Sequence, residues 1–131
     1  MPITKINITQ LLLIGTGGAI GASFRFGTGL LVHSKGFPYT TLLVNMLGCF
    51  LLAFLSNNPN IIRCISEKKR IAITTGLIGS FTTFSTVAID TVLLMEANPL
   101  LGVFYLILQL VGGISFCFVG FKLATRKAGA N

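Results

Sequence analysis

Four stretches of this chain, roughly 6–32, 39–55, 69–95 and 99–125, are apolar over about the ~20 residues a helix needs to cross a bilayer, and very little separates them. The separators are Gly36-Phe37-Pro38, a longer polar junction from Ser56-Asn57-Asn58-Pro59-Asn60 to Glu67-Lys68-Lys69-Arg70, and Asn98-Pro99. A backbone inside hydrocarbon must satisfy its own hydrogen bonds, so apolar segments of this length form helices there. In 131 residues, 53% of them hydrophobic and 10% charged, no material is left for a soluble domain. The expected fold is an all-α membrane protein, a single four-helix transmembrane domain over 1–131.

The net charge of +7 could suggest nucleic acid, but its distribution points elsewhere. Lys5, Arg63, Lys68, Lys69, Arg70, Lys122, Arg126 and Lys127 fall at the N-terminus, the second junction and the C-terminus. Four spans put those three regions on one side of a membrane. Lys35 alone lies opposite, and Arg25 lies within the first span. Basic loops stay in the cytoplasm, so both termini are expected there, in the cytoplasmic membrane, with no nucleic-acid partner. Cys49, Cys64 and Cys117 are too widely spaced for a metal or redox cluster and read as small hydrophobes. His33 reads as interfacial. No nucleophile–base pair is visible, and no catalysis is expected.

Several polar residues lie inside the spans. Gly17 and Gly21, like Gly18 and Ala22, stand four apart and let another helix approach closely. Arg25 follows; a cation there is costly unless it snorkels, pairs or faces a water-filled cavity, so it reads either as an interfacial anchor or as positive charge in an anion vestibule. Thr41, Asn45, Gly48 and Leu52 share one face of the second span. Asn45 could bond to another helix or offer its N–H groups to an anion. Asp90 is an intramembrane acid, functional by default unless it reaches the interface. In the fourth span Tyr105, Gln109, Gly112 and Phe116 share a face, and Gly112, Phe116 and Gly120 suggest close packing. The third span holds Gly76-Leu77-Ile78-Gly79-Ser80-Phe81-Thr82-Thr83-Phe84-Ser85-Thr86. Glycines and β-branched threonines disfavour a helix, so the expectation is a break at Gly79–Thr82. Broken helices at mid-membrane are where channels and transporters build ion sites.

Three segments together resemble the Fluc (CrcB-type) fluoride channel family. They are the glycine run from Gly17 to Arg25, Thr41-Leu42-Leu43-Val44-Asn45-Met46-Leu47-Gly48, and Gly76 to Thr86. The resemblance implies a fluoride-specific channel that lowers cytoplasmic fluoride by passive efflux. It further implies an antiparallel dimer with two narrow pathways and a central structural sodium ion. By motif position, the backbone carbonyls of Gly79 and Thr82 would hold the sodium. Asn45 would be the pore-lining amide, Phe84 a pore phenylalanine, Arg25 the vestibule cation and Thr41 a nearby hydroxyl. Ser85 and Thr86 would be anion contacts, and Tyr105 would start the polar track of the fourth helix.

This chain departs from the family pattern at Val87, where a second phenylalanine is usual. It departs also at Gln109 and Gly113, where serines follow the tyrosine, and at Asp90, where glutamate is usual. With the lopsided Lys and Arg distribution, these departures favour a homologous partner of opposite bias over a second copy, and with it a half-conducting or non-conducting subunit of a heterodimeric channel. A small four-span drug exporter would need a carboxylate in the first span, which is absent. A non-transporting membrane scaffold would explain the glycines but not Asn45 together with the threonine-rich break. Membrane lipid is the remaining expected partner.

Overall fold

The computed structural model describes residues 7–32 and 36–126. Lys5, His33, Lys35 and Lys127 lie outside them. Every regular element among the described residues is helical. Helix α1 spans Ile8–Leu31 and α2 spans Tyr39–Asn57. The polar junction folds into a short helix, α3, Pro59–Cys64, which begins where Asn58 Oδ1 accepts the N–H groups of Asn60 and Ile61 at 3.1 and 3.3 Å. Proline at the first helical position needs no N–H partner there. The third span starts as α4, Glu67–Ile71, continues as a π-helical segment, Ala72–Ile78, and ends in one turn, α5, Gly79–Phe81. It resumes as α6, Ser85–Ala97. Asn98 accepts from Leu100 and Leu101 and starts α7, Pro99–Arg126.

The break therefore opens later than the glycine pattern suggested. Gly79 remains helical at φ −60° and ψ −33°, and the backbone turns extended only at Thr82, φ −78° and ψ 159°. The π-helical segment was not expected at all. Such widened turns recur at functional sites inside α-helices.

By length and composition, Tyr39–Asn57, Glu67–Ala97 and Pro99–Arg126 can each cross a membrane. Helix α1, the fourth expected span, is long enough at 24 residues. Its glycines, Thr16, Ser23 and Arg25 make it less apolar, because one face is committed to the third span rather than to hydrocarbon. A side-chain carbon on Gly17 would lie 2.6 Å from the Ala72 carbonyl oxygen, and one on Gly76 would lie 2.5 Å from that of Ile14. One on Gly21 would meet the Leu77 backbone. The two backbones touch, as the spacing of Gly17 and Gly21 led one to expect.

Helix α2 packs along α7 in the same way. Gly112 faces Met46, and Gly120 faces the Phe50 carbonyl and Ala53. At the other end Phe37 meets Tyr105 edge-on, with ring centroids 5.5 Å apart. Phe116, on the expected packing face, is instead partly exposed. This register makes α2 and α7 run parallel, just as α1 runs parallel to the third span. Arg63, Lys68, Lys69, Arg70, Lys122 and Arg126 consequently gather at one end of the bundle. Large apolar side chains such as Phe26, Leu31 and Ile114 point outward, the reverse of a soluble protein. Close backbone approach and internal hydrogen bonds hold such a bundle, since hydrocarbon offers no hydrophobic drive between helices.

Gly21→Ala should thus destabilise the protein by about 1–3 kcal/mol, the usual cost of overpacking. Gly29→Ala, where nothing lies within 4 Å, should leave stability unchanged or raise it. Thermal unfolding in detergent checks the contrast.

Candidate functional site

The break is braced by one side chain from α2. Thr83 donates its backbone N–H to Asn45 Oδ1 at 2.8 Å, and its carbonyl accepts Asn45 Nδ2 at 3.0 Å. The carboxamide thus replaces both hydrogen bonds that a continuous helix would have given Thr83. It can reach because Gly48, one turn along α2, lies against the Thr82 methyl group.

From Asn45 a polar track runs through the space between α2, α6 and α7. Asn45 Nδ2 also donates to Gln109 Oε1 at 3.4 Å, and Gln109 Nε2 donates to the Tyr105 hydroxyl at 2.8 Å. Tyr105 donates to Asp90 Oδ2 at 3.3 Å, and Thr41 donates to the same oxygen at 2.7 Å. Tyr105 is fully buried, and Thr41 and Gln109 nearly so. Asp90, left open between functional and interfacial readings, is the acceptor on which this track ends. Val87, at the position expected to hold a second phenylalanine, is buried in the core cluster with Leu94 and Tyr105.

On the far side of the break, Thr83 Oγ1 lies 3.2 Å from the Ser85 hydroxyl and 3.0 Å from that of Thr86. It also accepts the Thr86 N–H at 3.2 Å, capping the start of α6. Phe84 stands 80% exposed at the tip of the break. It borders a groove of about 290 Å³ whose wall includes Asn45, Thr82, Thr83 and Gln109. The resemblance put Asn45, Phe84, Thr41, Ser85, Thr86, Tyr105 and Arg25 on one ion pathway; the structure brings the first six together around the break or along its track. Gln109 was noticed only as a departure from a pattern; its role as the link between Asn45 and Tyr105 needs the register of α2 against α7.

Arg25 pairs with the break. Its guanidinium donates to the Thr82 carbonyl at 3.4 Å. Because Thr83 gives its N–H to Asn45, the Gly79 carbonyl is left with the Thr82 hydroxyl at 3.5 Å. A C-terminal helix end carries partial negative charge and the N-terminus of α6 partial positive charge. The break therefore sets a cation-attracting edge beside an anion-attracting one.

A scan against protein families matches residues 12–121 to the CrcB-like (camphor resistance, CrcB) family. Similar proteins include the fluoride-specific ion channel FluC 2 of Halalkalibacterium halodurans, 40% identical over 93% of this chain and 90% of that one. The fluoride-specific ion channel FluC of Oceanobacillus iheyensis is 39% identical over 88% and 91% of the two chains. That of Methanopyrus kandleri is 38% identical over 93% and 94%. This chain belongs to the CrcB family.

Asn45→Ala would leave both the N–H and the carbonyl of Thr83 without partners. Each buried unsatisfied group costs about 1–3 kcal/mol, so this variant should be the least stable single truncation along the track. Thr41→Ala should cost less. Unfolding of the two variants in the same detergent ranks them.

Proposed function

We propose that this chain is a subunit of a fluoride channel that lets fluoride leave the cell passively across the cytoplasmic membrane, a transporter rather than an enzyme. The observation that carries the reading is the Asn45 brace on a helix break bordered by Phe84, in a chain about 40% identical to a protein named a fluoride-specific ion channel. Fluoride is small and strongly hydrated, so a narrow path must offer donors and positive edges in place of water. The rim of an aromatic ring carries positive charge, which suits exposed Phe84. Ser85, Thr86 and Thr41 supply hydroxyls, and Arg25 supplies positive potential from the opposite flank.

Gly79 and Thr82 suit a structural sodium ion, because both carbonyls belong to a backbone whose helical bonding is interrupted. When bound, the ion would add fixed positive charge beside the pathway. Arg25 donates to the Thr82 carbonyl as well, so a sodium ion held there would have to share that oxygen with the guanidinium. Sodium should then raise the melting temperature relative to N-methylglucamine, and Gly79→Ile should abolish that difference. Equal melting in both cations would remove sodium from this site.

The second subunit is a homologue of opposite charge bias, oriented antiparallel. The gathering of basic residues at one end supports this, since the positive-inside rule then favours a single orientation with that end and both termini cytoplasmic. The outward apolar faces meet lipid. In liposomes, the chain with its partner should pass fluoride and strongly exclude chloride, and the chain alone should pass little. Asn45→Asp should lower the flux, since it adds negative charge beside the path where an anion sheds water. Equal permeability to both ions would overturn the channel reading. Robust fluoride flux from this chain alone, with tags on both membrane faces, would overturn the heterodimer.

A further inference from the structure

We propose that Gln109 closes this chain's own polar track against anions, and so limits how far its Asn45 takes part in conduction; this rests on the fluoride-channel reading above. The argument starts from a donor that cannot turn around. The backbone N–H of Thr83 can only donate, so the Asn45 group facing it at 2.8 Å must be the oxygen. The NH₂ of Asn45 then faces the Thr83 carbonyl and Gln109. Gln109 must answer with its oxygen, which turns its own NH₂ toward the Tyr105 hydroxyl. The Tyr105 proton is left to point at Asp90. One backbone group thereby orients two amides and a phenol, and the Asp90 carboxylate receives the last donor.

An amide nitrogen carries two N–H donors, and both of Asn45's are engaged. One braces the break. The other goes to Gln109 Oε1. An anion in the groove would therefore meet a satisfied Asn45, and could gain an N–H only by displacing Gln109. Gln109 stands in the wall of that groove, with its oxygen where the anion would have to be. The bond it holds is the longest that Asn45 makes, 3.4 Å against 3.0 and 2.8 Å. That is therefore the contact an anion contests. A side chain at 109 that lacks this oxygen, or is too short to present it, would leave the second N–H directed into the groove. Gly113, one turn further on, brings no polar group to replace it.

This reading predicts a gain of transport on removing a buried polar side chain, the opposite of what a helix-bonding role predicts. Fluoride efflux is measured from liposomes holding the protein in the arrangement in which the unmodified chain conducts. Gln109→Met, which keeps the volume and loses the oxygen, and Gln109→Ser should each raise efflux about three- to tenfold, the factor that one ordinary net hydrogen bond is worth. Chloride should stay excluded. Gln109→Glu keeps the acceptor and adds negative charge, and should conduct no better than the unmodified chain. Unchanged or reduced efflux in both Gln109→Met and Gln109→Ser would overturn the proposal. The second readout is the pair of side-chain amide protons of Asn45, followed by NMR. Exchange of the proton facing Gln109 should be at least tenfold faster in Gln109→Met than in the unmodified protein, and equal rates would overturn the proposal. If no form passes fluoride, the channel reading fails, and amide exchange alone decides whether Gln109 closes the track.

Discussion

The architecture depends on one carboxamide. A helix interrupted inside a bilayer leaves backbone groups that neither lipid nor water can answer, at several kcal/mol each. Asn45 answers two of them at a single residue, Thr83. For that to work, α2 must lie close enough for a short side chain to span the gap. Gly48 provides the approach to Thr82, and Gly112 and Gly120 seat α2 against α7. The glycines and the asparagine form one device. Their small size brings the helices together, and the amide then closes the break.

Its interior is accordingly unlike a soluble core. Few large apolar side chains are enclosed. The centre holds Thr41, Tyr105 and Gln109 along a continuous line of hydrogen bonds, while leucine and phenylalanine cover the outside. Polar contacts inside a membrane give more geometric definition than stability, each being worth roughly 1 kcal/mol or less. That suits a site whose function depends on where donors point.

Much of this was legible in the residues. Long apolar runs located the helical stretches 8–31, 39–57, 67–97 and 99–126 to within a few positions, and the glycine spacing gave the α1 contact. The glycine- and threonine-rich segment marked the break. What spacing cannot convey is register between helices. The hydroxyls, the amide and Asp90 could be placed on their own helices, but nothing in one dimension aligns Asn45 with Gln109 or brings Asp90 to Thr41 across α2 and α6. The π-helical segment was also hidden, because Ile73, Thr74, Thr75 and Gly76 discourage an ordinary helix without saying which alternative replaces it. Arg25 stayed ambiguous for a related reason: only the parallel packing of α1 on the third span carries its guanidinium to the Thr82 carbonyl.

The groove beside Phe84 has a consequence for the life of a single copy in the membrane. A lipid tail could fill its volume but could not bond to the hydroxyls and carbonyls along its wall. An uncovered copy would hold polar backbone against hydrocarbon and an aromatic ring without a neighbour. Such a copy would be the less stable form, so the amount of folded protein would follow the supply of whatever covers the groove.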